Sequence, residues 1–305
     1  MIDRQNFDEL VSRAMSNSTV SHMRPVVEKE LLHYDILFSL EKEGLLDGLT
    51  FQGGTSLRLC YGGNRYSEDL DFAGGKDFTA KQLDRMKDCI ETYIGGRYGL
   101  EVTVKEPKSL KEDPRYAELK IDKWQIAVVT APERKDMPKQ RIKVEVANIP
   151  AYTRAPMAMK VNYSFLPDGY SDTLILTETL DELMADKLVS LPATQNYVRH
   201  RDIWDLSWLL QQGASIQEEW VLGKVNDYSI GDYPKKLSRL IERLPTIITS
   251  GQFNNEMRRF TPTDVYDRTL GKPAFEQYLT NNVSDLFKEL QSRLAGDRQE
   301  PDFLM

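Results

Sequence analysis

The sequence predicts an α/β (α+β) protein, a small β-sheet flanked by helices and followed by a C-terminal helical domain. Three observations lead there. Apolar residues at helical spacing open the chain. Short apolar runs, some with a period of two, cluster between residues 49 and 146, and beyond Thr177 that signal fades and only helical spacing remains. The change of period places a boundary near residue 177 and gives domains of residues 1–177 and 178–305. A chain of 305 residues suits two modest domains and can bury a core.

From Met23 to Glu43, Val26, Val27, Leu31, Tyr34, Ile36, Leu37, Phe38 and Leu40 recur near helical spacing and stop at Gly44. Leu49–Gln52 reads as a short strand, Thr55–Tyr61 as a helix and Asp69–Ala73 as a second strand. Leu83, Met86, Ile90 and Ile94 mark an amphipathic helix that Thr79 can cap and Gly95-Gly96 close. Strands are expected at 100–105, 116–121 and 126–129. Gln140–Val146 alternates cleanly, with Ile142, Val144 and Val146 on one face and Arg141, Lys143 and Glu145 on the other. Pro150, Pro156, Pro167 and Gly169 make 150–173 an irregular connector with room for a strand pair. Residues 296–305 read as a loosely held tail.

Composition excludes several classes. A hydrophobic fraction of 40% with 29% charged residues is ordinary for a soluble globular chain. No apolar run approaches the roughly 18 residues of a membrane span, and the N-terminus lacks a signal-peptide core, so a cytoplasmic location and no membrane are expected. Cys60 and Cys89, with three histidines in the chain, do not make a disulfide scaffold or a zinc site and read as buried free thiols. The net charge of −7 argues against bulk electrostatic coating of nucleic acid. Local basic groups exist at Lys105, Lys108 and Lys111; Lys135, Lys139, Arg141 and Lys143; Arg199, His200 and Arg201; Lys235 and Lys236; Arg258 and Arg259. Each alone is a solvated face, and only a shared location beside an acidic site would make them an RNA track.

That acidic site is the most informative part of the chain. Phe51 leads into Gly53-Gly54-Thr55-Ser56, where glycines allow unusual backbone angles and close ligand approach, and where helix-start N–H groups can surround a phosphate. Asp69 and Asp71 are one residue apart, so on a strand both carboxylates share a face while Leu70 and Phe72 point inward. Two such hard ligands suit Mg²⁺, with water and substrate phosphates completing the shell. A glycine turn or an Asp-x-Asp alone is unspecific, and it is their order and spacing that single them out. Glu145 can deliver a third metal-binding carboxylate from a neighbouring strand. Its bland alternative is a surface pair with Lys143 or Arg141.

The run Gly-Gly-Thr-Ser-Leu, then Tyr61, then Arg65-Tyr66-Ser67-Glu68-Asp69-Leu70-Asp71-Phe72 resembles the AbiEii/AbiGii-type nucleotidyltransferase toxins, which include MenT-like proteins and belong to the DNA polymerase β-like nucleotidyltransferase superfamily. Asp186-Lys187-Leu188-Val189-Ser190-Leu191 followed by Arg201-Asp202-Ile203-Trp204-Asp205-Leu206 is similar to a helix pair of the same family. The resemblance covers about residues 25–210. It implies a nucleotidyltransferase core with a small mixed sheet and a C-terminal helical domain that completes the active site. In that picture Asp69 and Asp71 are catalytic metal ligands, and Gly53, Gly54, Thr55, Ser56, Arg65 and Ser67 surround the donor nucleotide. Lys187 contacts the triphosphate, and Asp202, or else Asp205, is the base or organiser near the acceptor hydroxyl. Without catalysis the same residues would be a helix–helix salt bridge and a snorkelling lysine.

The expected reaction transfers a nucleoside monophosphate from an NTP to an acceptor hydroxyl and releases pyrophosphate, with Mg²⁺ or alternatively Mn²⁺ as cofactor. The resemblance further implies a toxin of a toxin–antitoxin pair with a separately encoded antitoxin, a phage-defence setting, and the tRNA 3′ end as acceptor, which would block translation. A small-molecule or protein acceptor, or a nucleotide-binding module without turnover, are the alternatives.

Overall fold

The computed structural model describes residues 6–111, 121–134, 136–194 and 196–296. The expected strand at 116–121 lies outside this set except for Ile121, as do Lys135, the Lys111 side chain and the tail beyond Gly296. Backbone contacts divide the chain into two compact units, Met1–Thr179 with Arg259–Val265, and Leu180–Arg258 with Tyr266–Met305. The return of 259–265 to the first unit has no counterpart in the sequence pattern.

The first unit begins with α1 (Phe7–Ala14), a helix the sequence reading did not mark. Asn6 caps it by accepting the Glu9 N–H, and Phe7, Leu10, Val11 and Ala14 are buried. Helix α2 (Arg24–Lys42) carries Pro25 in its first turn and buries Leu31, Leu32, Ile36, Leu37 and Leu40, and Gly44 at φ +69° follows its end. Strand β1 (Thr50–Gln52) runs directly into α3 (Gly53–Ser56), which continues as a π-helical stretch over Leu57–Tyr61 and closes on left-handed Gly62. The helix therefore starts at Gly53, not at Thr55. Strand β2 is Leu70–Ala73, so Asp69 stands just before it.

The single helix expected from Thr79 to Gly95 is a short 3₁₀ turn, Ala80–Leu83, and then α4 (Met86–Tyr98). Gly95 and Gly96 lie inside α4, and Gly99 at φ +68° ends it. Two adjacent glycines are tolerated in a helix that tertiary packing holds, whereas a left-handed residue stops it. Strands β3 (Val102–Lys105), β4 (Ile121–Val128), β5 (Gln140–Ala147), β6 (Ala155–Ala158) and β7 (Leu174–Thr177) complete, among the described residues, a seven-stranded mixed sheet in the order β3-β4-β5-β2-β1-β7-β6. Strand β2 pairs antiparallel with β1 and parallel with β5, and β1 pairs parallel with β7. The connector at 150–173 thus supplies the edge strand β6.

One face of the sheet is buried: Leu70, Val144, Trp124, Ile126, Ile142 and Val104 join the core that α2 and α4 pack against. Phe260 is fully buried in the same core, and its carbonyl accepts the Tyr66 N–H at 2.7 Å. Cys60 is a buried free thiol and Cys89 a half-buried one.

The second unit is helical: α5 (Leu180–Ala193), α6 (His200–Gln211), α7 (Glu218–Asp227), α8 (Tyr233–Ile248), α9 (Gly251–Phe260), α10 (Thr263–Arg268) and α11 (Pro273–Ala295), of which α9 and α10 carry the residues that return to the first unit. Leu237, Leu240 and Leu244 of α8 recur at helical spacing, as do Leu279, Val283, Leu286 and Leu290 of α11, and the two helices pack together. Among the described residues no helix is long and apolar enough to cross a membrane.

Candidate active site

The turn between β1 and α3 is built around two missing side chains. Gly53 sits at φ +78°, and a Cβ added there would lie 2.6 Å from Oδ2 of Asp71. The Asp71 carboxylate therefore rests on the Gly53 backbone. A Cβ on Gly54 would lie 2.5 Å from Nη2 of Arg65 and 3.0 Å from Oγ of Ser67. Arg65 is buried and donates from Nη1 to the Tyr66 carbonyl at 2.9 Å. Thr55 Oγ1 donates to the Asp69 carbonyl at 2.5 Å, and Ser56 Oγ donates to the Gly53 carbonyl at 2.9 Å. Both hydroxyls thus hold the loop shut, and the backbone N–H groups of the helix start are what the turn offers an anion.

Sheet register puts the acidic residues in order. Asp71 pairs with Gln52 on one side and Glu145 on the other, and Glu145 pairs with Lys123, so four residues form one row across β1, β2, β5 and β4. Asp69 stands just before the ladder that begins at Leu70. Its Oδ1 accepts the Lys143 N–H at 3.1 Å, and its Oδ2 lies 3.4 Å from Lys143 Nζ. Glu145 is paired with Lys123 at 3.1 Å, not with Lys143 or Arg141 as the surface alternative had it. The Asp69 charge, helped by Glu145 and Asp71 and opposed by partial burial, raises the Lys143 ammonium above its usual range. One cation therefore feels all three carboxylates.

Among the described residues no three His, Cys, Asp or Glu side chains are arranged as a metal cluster. Asp69 and Asp71 fit a divalent ion of the hard, oxygen-seeking kind that takes one or two protein carboxylates and fills its shell with water and phosphate. Sequence reasoning missed what braces this loop. Lys29 on α2 pairs with Glu68 at 2.6 Å, the His33 ring contacts the Glu68 carbonyl at 3.0 Å, and Arg58 forks onto Glu30 while lying 4.3 Å over the Tyr66 ring. The polar residues inside the otherwise apolar α2 were the available signal.

Lys187 and Asp202 belong to the second unit. The Lys187 ammonium, nearly buried, lies 3.0 Å from Asp202 Oδ1 and 2.7 Å from Asp205 Oδ2. Arg199 and Ser190 also donate to Asp202. Burial alone would raise the Asp202 carboxyl, but Lys187 and Arg199 outweigh it and hold it well below the usual carboxylate range. A carboxylate so stabilised is a weak base and a good anchor for a cation.

A family model described as nucleotidyl transferase AbiEii toxin, type IV TA system, matches residues 35–281. No curated protein is significantly similar to the chain. Among solved structures, MenT4, a nucleotidyltransferase toxin from Mycobacterium tuberculosis H37Rv, is 17% identical and superposes with a TM-score of 0.56 over 97% of this chain and 94% of its own. That likeness shows a shared fold. Two Helicobacter pylori proteins align less well. One is 19% identical with a TM-score of 0.46, over 90% of this chain and 98% of its own. The other, JHP933, is 18% identical with a TM-score of 0.41, over 89% and 94%.

Proposed function

The chain belongs to the AbiEii family of nucleotidyl transferase toxins of type IV toxin–antitoxin systems, and on that premise we propose that it moves a nucleoside monophosphate from an NTP to an acceptor hydroxyl at the β1–α3 turn and the acidic row beside it. The observation that carries this reading is the packing of Asp71 on Gly53, which holds a carboxylate directly against the backbone of the turn that begins α3. The N–H groups after Gly53 would take the donor phosphates, with Arg65 adding charge from beside Gly54. Asp69 and Asp71 would hold a divalent ion, Mg²⁺ or alternatively Mn²⁺, whose chemistry when bound is to offset phosphate charge and acidify the acceptor hydroxyl. Lys143, already coupled to Asp69, sits where it can neutralise charge on the leaving pyrophosphate.

For the helical unit the resemblance implies that Lys187 contacts the triphosphate and that Asp202, or else Asp205, is the base or organiser near the acceptor hydroxyl. The depressed Asp202 carboxyl favours the organiser. Glu145 is a reserve ligand while Lys123 holds it. The acceptor we propose is the 3′ end of tRNA, modified in the cytoplasm to block translation until a separately encoded antitoxin counters it. Incubation with each labelled NTP, Mg²⁺ and total RNA tests this. Label should enter tRNA and should vanish with EDTA or in Asp69→Ala. Label in no RNA would sink the acceptor assignment, and label in RNA that survives Asp69→Ala would sink the site.

A further inference from the structure

The face of the sheet opposite the core is open at one end. On β3, β4 and β5 the residues that point away from Trp124, Ile126 and Val144 are Thr103 and Lys105, then Lys123, Gln125 and Ala127, then Arg141 and Lys143. All are exposed except half-buried Ala127. Register aligns them in rows: Lys143 with Gln125 and Lys105, Arg141 with Ala127 and Thr103, and Lys123 with Glu145 and Asp71. The cationic lattice is therefore continuous with the acidic row. Among the described residues its carboxylates, Asp69, Asp71 and Glu145, lie along its border.

We infer that this open face of β3, β4 and β5 docks the phosphate backbone of a single-stranded polynucleotide through Lys105, Lys123, Arg141 and Lys143, presenting its end to the acidic row. The inference rests on the proposed reaction for the meaning of that row. Charge complementarity selects the occupant. The chain carries a net −7, yet these strands gather four cations on one exposed surface. Lys105 and Arg141 have no ion pair among the described residues, and Lys123 and Lys143 keep 48% and 49% of their side chains exposed while paired.

Arg141 and Lys143 stand two residues apart, roughly 7 Å along a strand, a reach that takes neighbouring phosphates of one polynucleotide strand. The free end that the proposed reaction extends selects an unpaired strand. Among the described residues the face carries no aromatic side chain to stack a base, and the contact inferred is with phosphates, indifferent to sequence.

The test is fluorescence anisotropy with a labelled oligouridylate of about 12 nucleotides, the whole chain, EDTA and no NTP, with salt varied. Four phosphate contacts predict a slope of log affinity against log salt of about −2.8. The double variant Lys105→Glu/Arg141→Glu should flatten it to about −1.4 and weaken binding at least about tenfold. Lys42→Glu/Lys81→Glu, exposed positions away from this face, should leave both unchanged, and circular dichroism checks that each variant is folded. Equal loss in both double variants, no loss in the first, or tighter binding of a duplex of the same length would overturn the inference. Wild-type protein that binds the oligonucleotide yet labels no RNA would overturn the proposed reaction and leave the docking face standing.

Discussion

Replacing Gly53 by alanine tests the geometry on which the site depends. Two costs arise. An L-residue held at φ +78° is worse than glycine by roughly 1–2 kcal/mol, which a stiffer unfolded chain offsets by about 0.5 kcal/mol. The net loss, about 1 kcal/mol, should lower Tm by about 2–4 °C. The second cost falls on function, because the new methyl would lie 2.6 Å from Asp71 Oδ2, where ordinary contact begins at 3.4 Å. The carboxylate must retreat by about 0.8 Å, and misplacement on that scale costs a reacting group about a hundredfold in kcat/KM. Gly213 provides the control: its φ is +84° with nothing near a Cβ, so Gly213→Ala should show a similar Tm loss with activity intact. Label transfer and thermal unfolding measured on both variants decide the matter. Gly53→Ala with activity within threefold of wild type, or Gly213→Ala equally inactive, would refute the argument that Asp71 is positioned by the missing side chain.

Two further outcomes follow from buried charges. Lys187→Ala leaves Asp202 and Asp205 facing each other without their shared cation, which should cost about 3–5 kcal/mol in chemical denaturation. Because the folded Asp202 carboxyl is depressed, its contribution is present above the unfolded value of about 3.9 and fades as pH falls below it. The variant's stability should therefore fall less steeply below about pH 4, and an unchanged acid limb would contradict the pairing. His33 is buried, and desolvation, only partly opposed by the Glu68 carbonyl and by Glu30 and Asp69, lowers its ring to about 4. The unfolded chain then takes up the proton first, so stability is full above about pH 6.5 and drops by about 3 kcal/mol as pH falls to 4. His33→Gln should flatten urea midpoints across that window, and a midpoint curve parallel to wild type would rule the effect out.

What the sequence made legible is what short-range periodicity encodes. Alternation in Gln140–Val146 correctly separated Ile142, Val144 and Val146 from Lys143 and Glu145, and the loss of period two after Thr177 marked the helical remainder. Pairing between distant strands is written nowhere in one strand. That β2 lies parallel to β5 decides that Glu145 flanks Asp71, and that β4 flanks β5 decides that Lys123, and not a neighbour in sequence, holds Glu145. Asp-x-Asp puts two carboxylates one residue apart, but that Lys143 holds Asp69 follows only from the pairing of β2 with β5. Gly95-Gly96 resembled a stop, yet packing of Ile90 and Ile94 carried α4 through to Gly99. Thr55 and Ser56 read as part of a phosphate turn because they stand where a helix can begin, and that their hydroxyls donate to the Asp69 and Gly53 carbonyls is set by the fold around them.

Phe260 has a consequence for biosynthesis. Its ring fills the core of the first unit and its carbonyl holds the Tyr66 N–H, directly upstream of Ser67 and the acidic row. A ribosome that has made only residues 1–179 has thus produced every strand of the sheet but not the plug beneath the loop. During translation the loop before β2 stays incompletely braced until some eighty more residues emerge, a delay of roughly 4–16 s at ordinary elongation rates. A toxin assembled in that order reaches competence only when most of its chain is already synthesised, and a fragment cut at residue 179 should be a poor enzyme however intact its carboxylates.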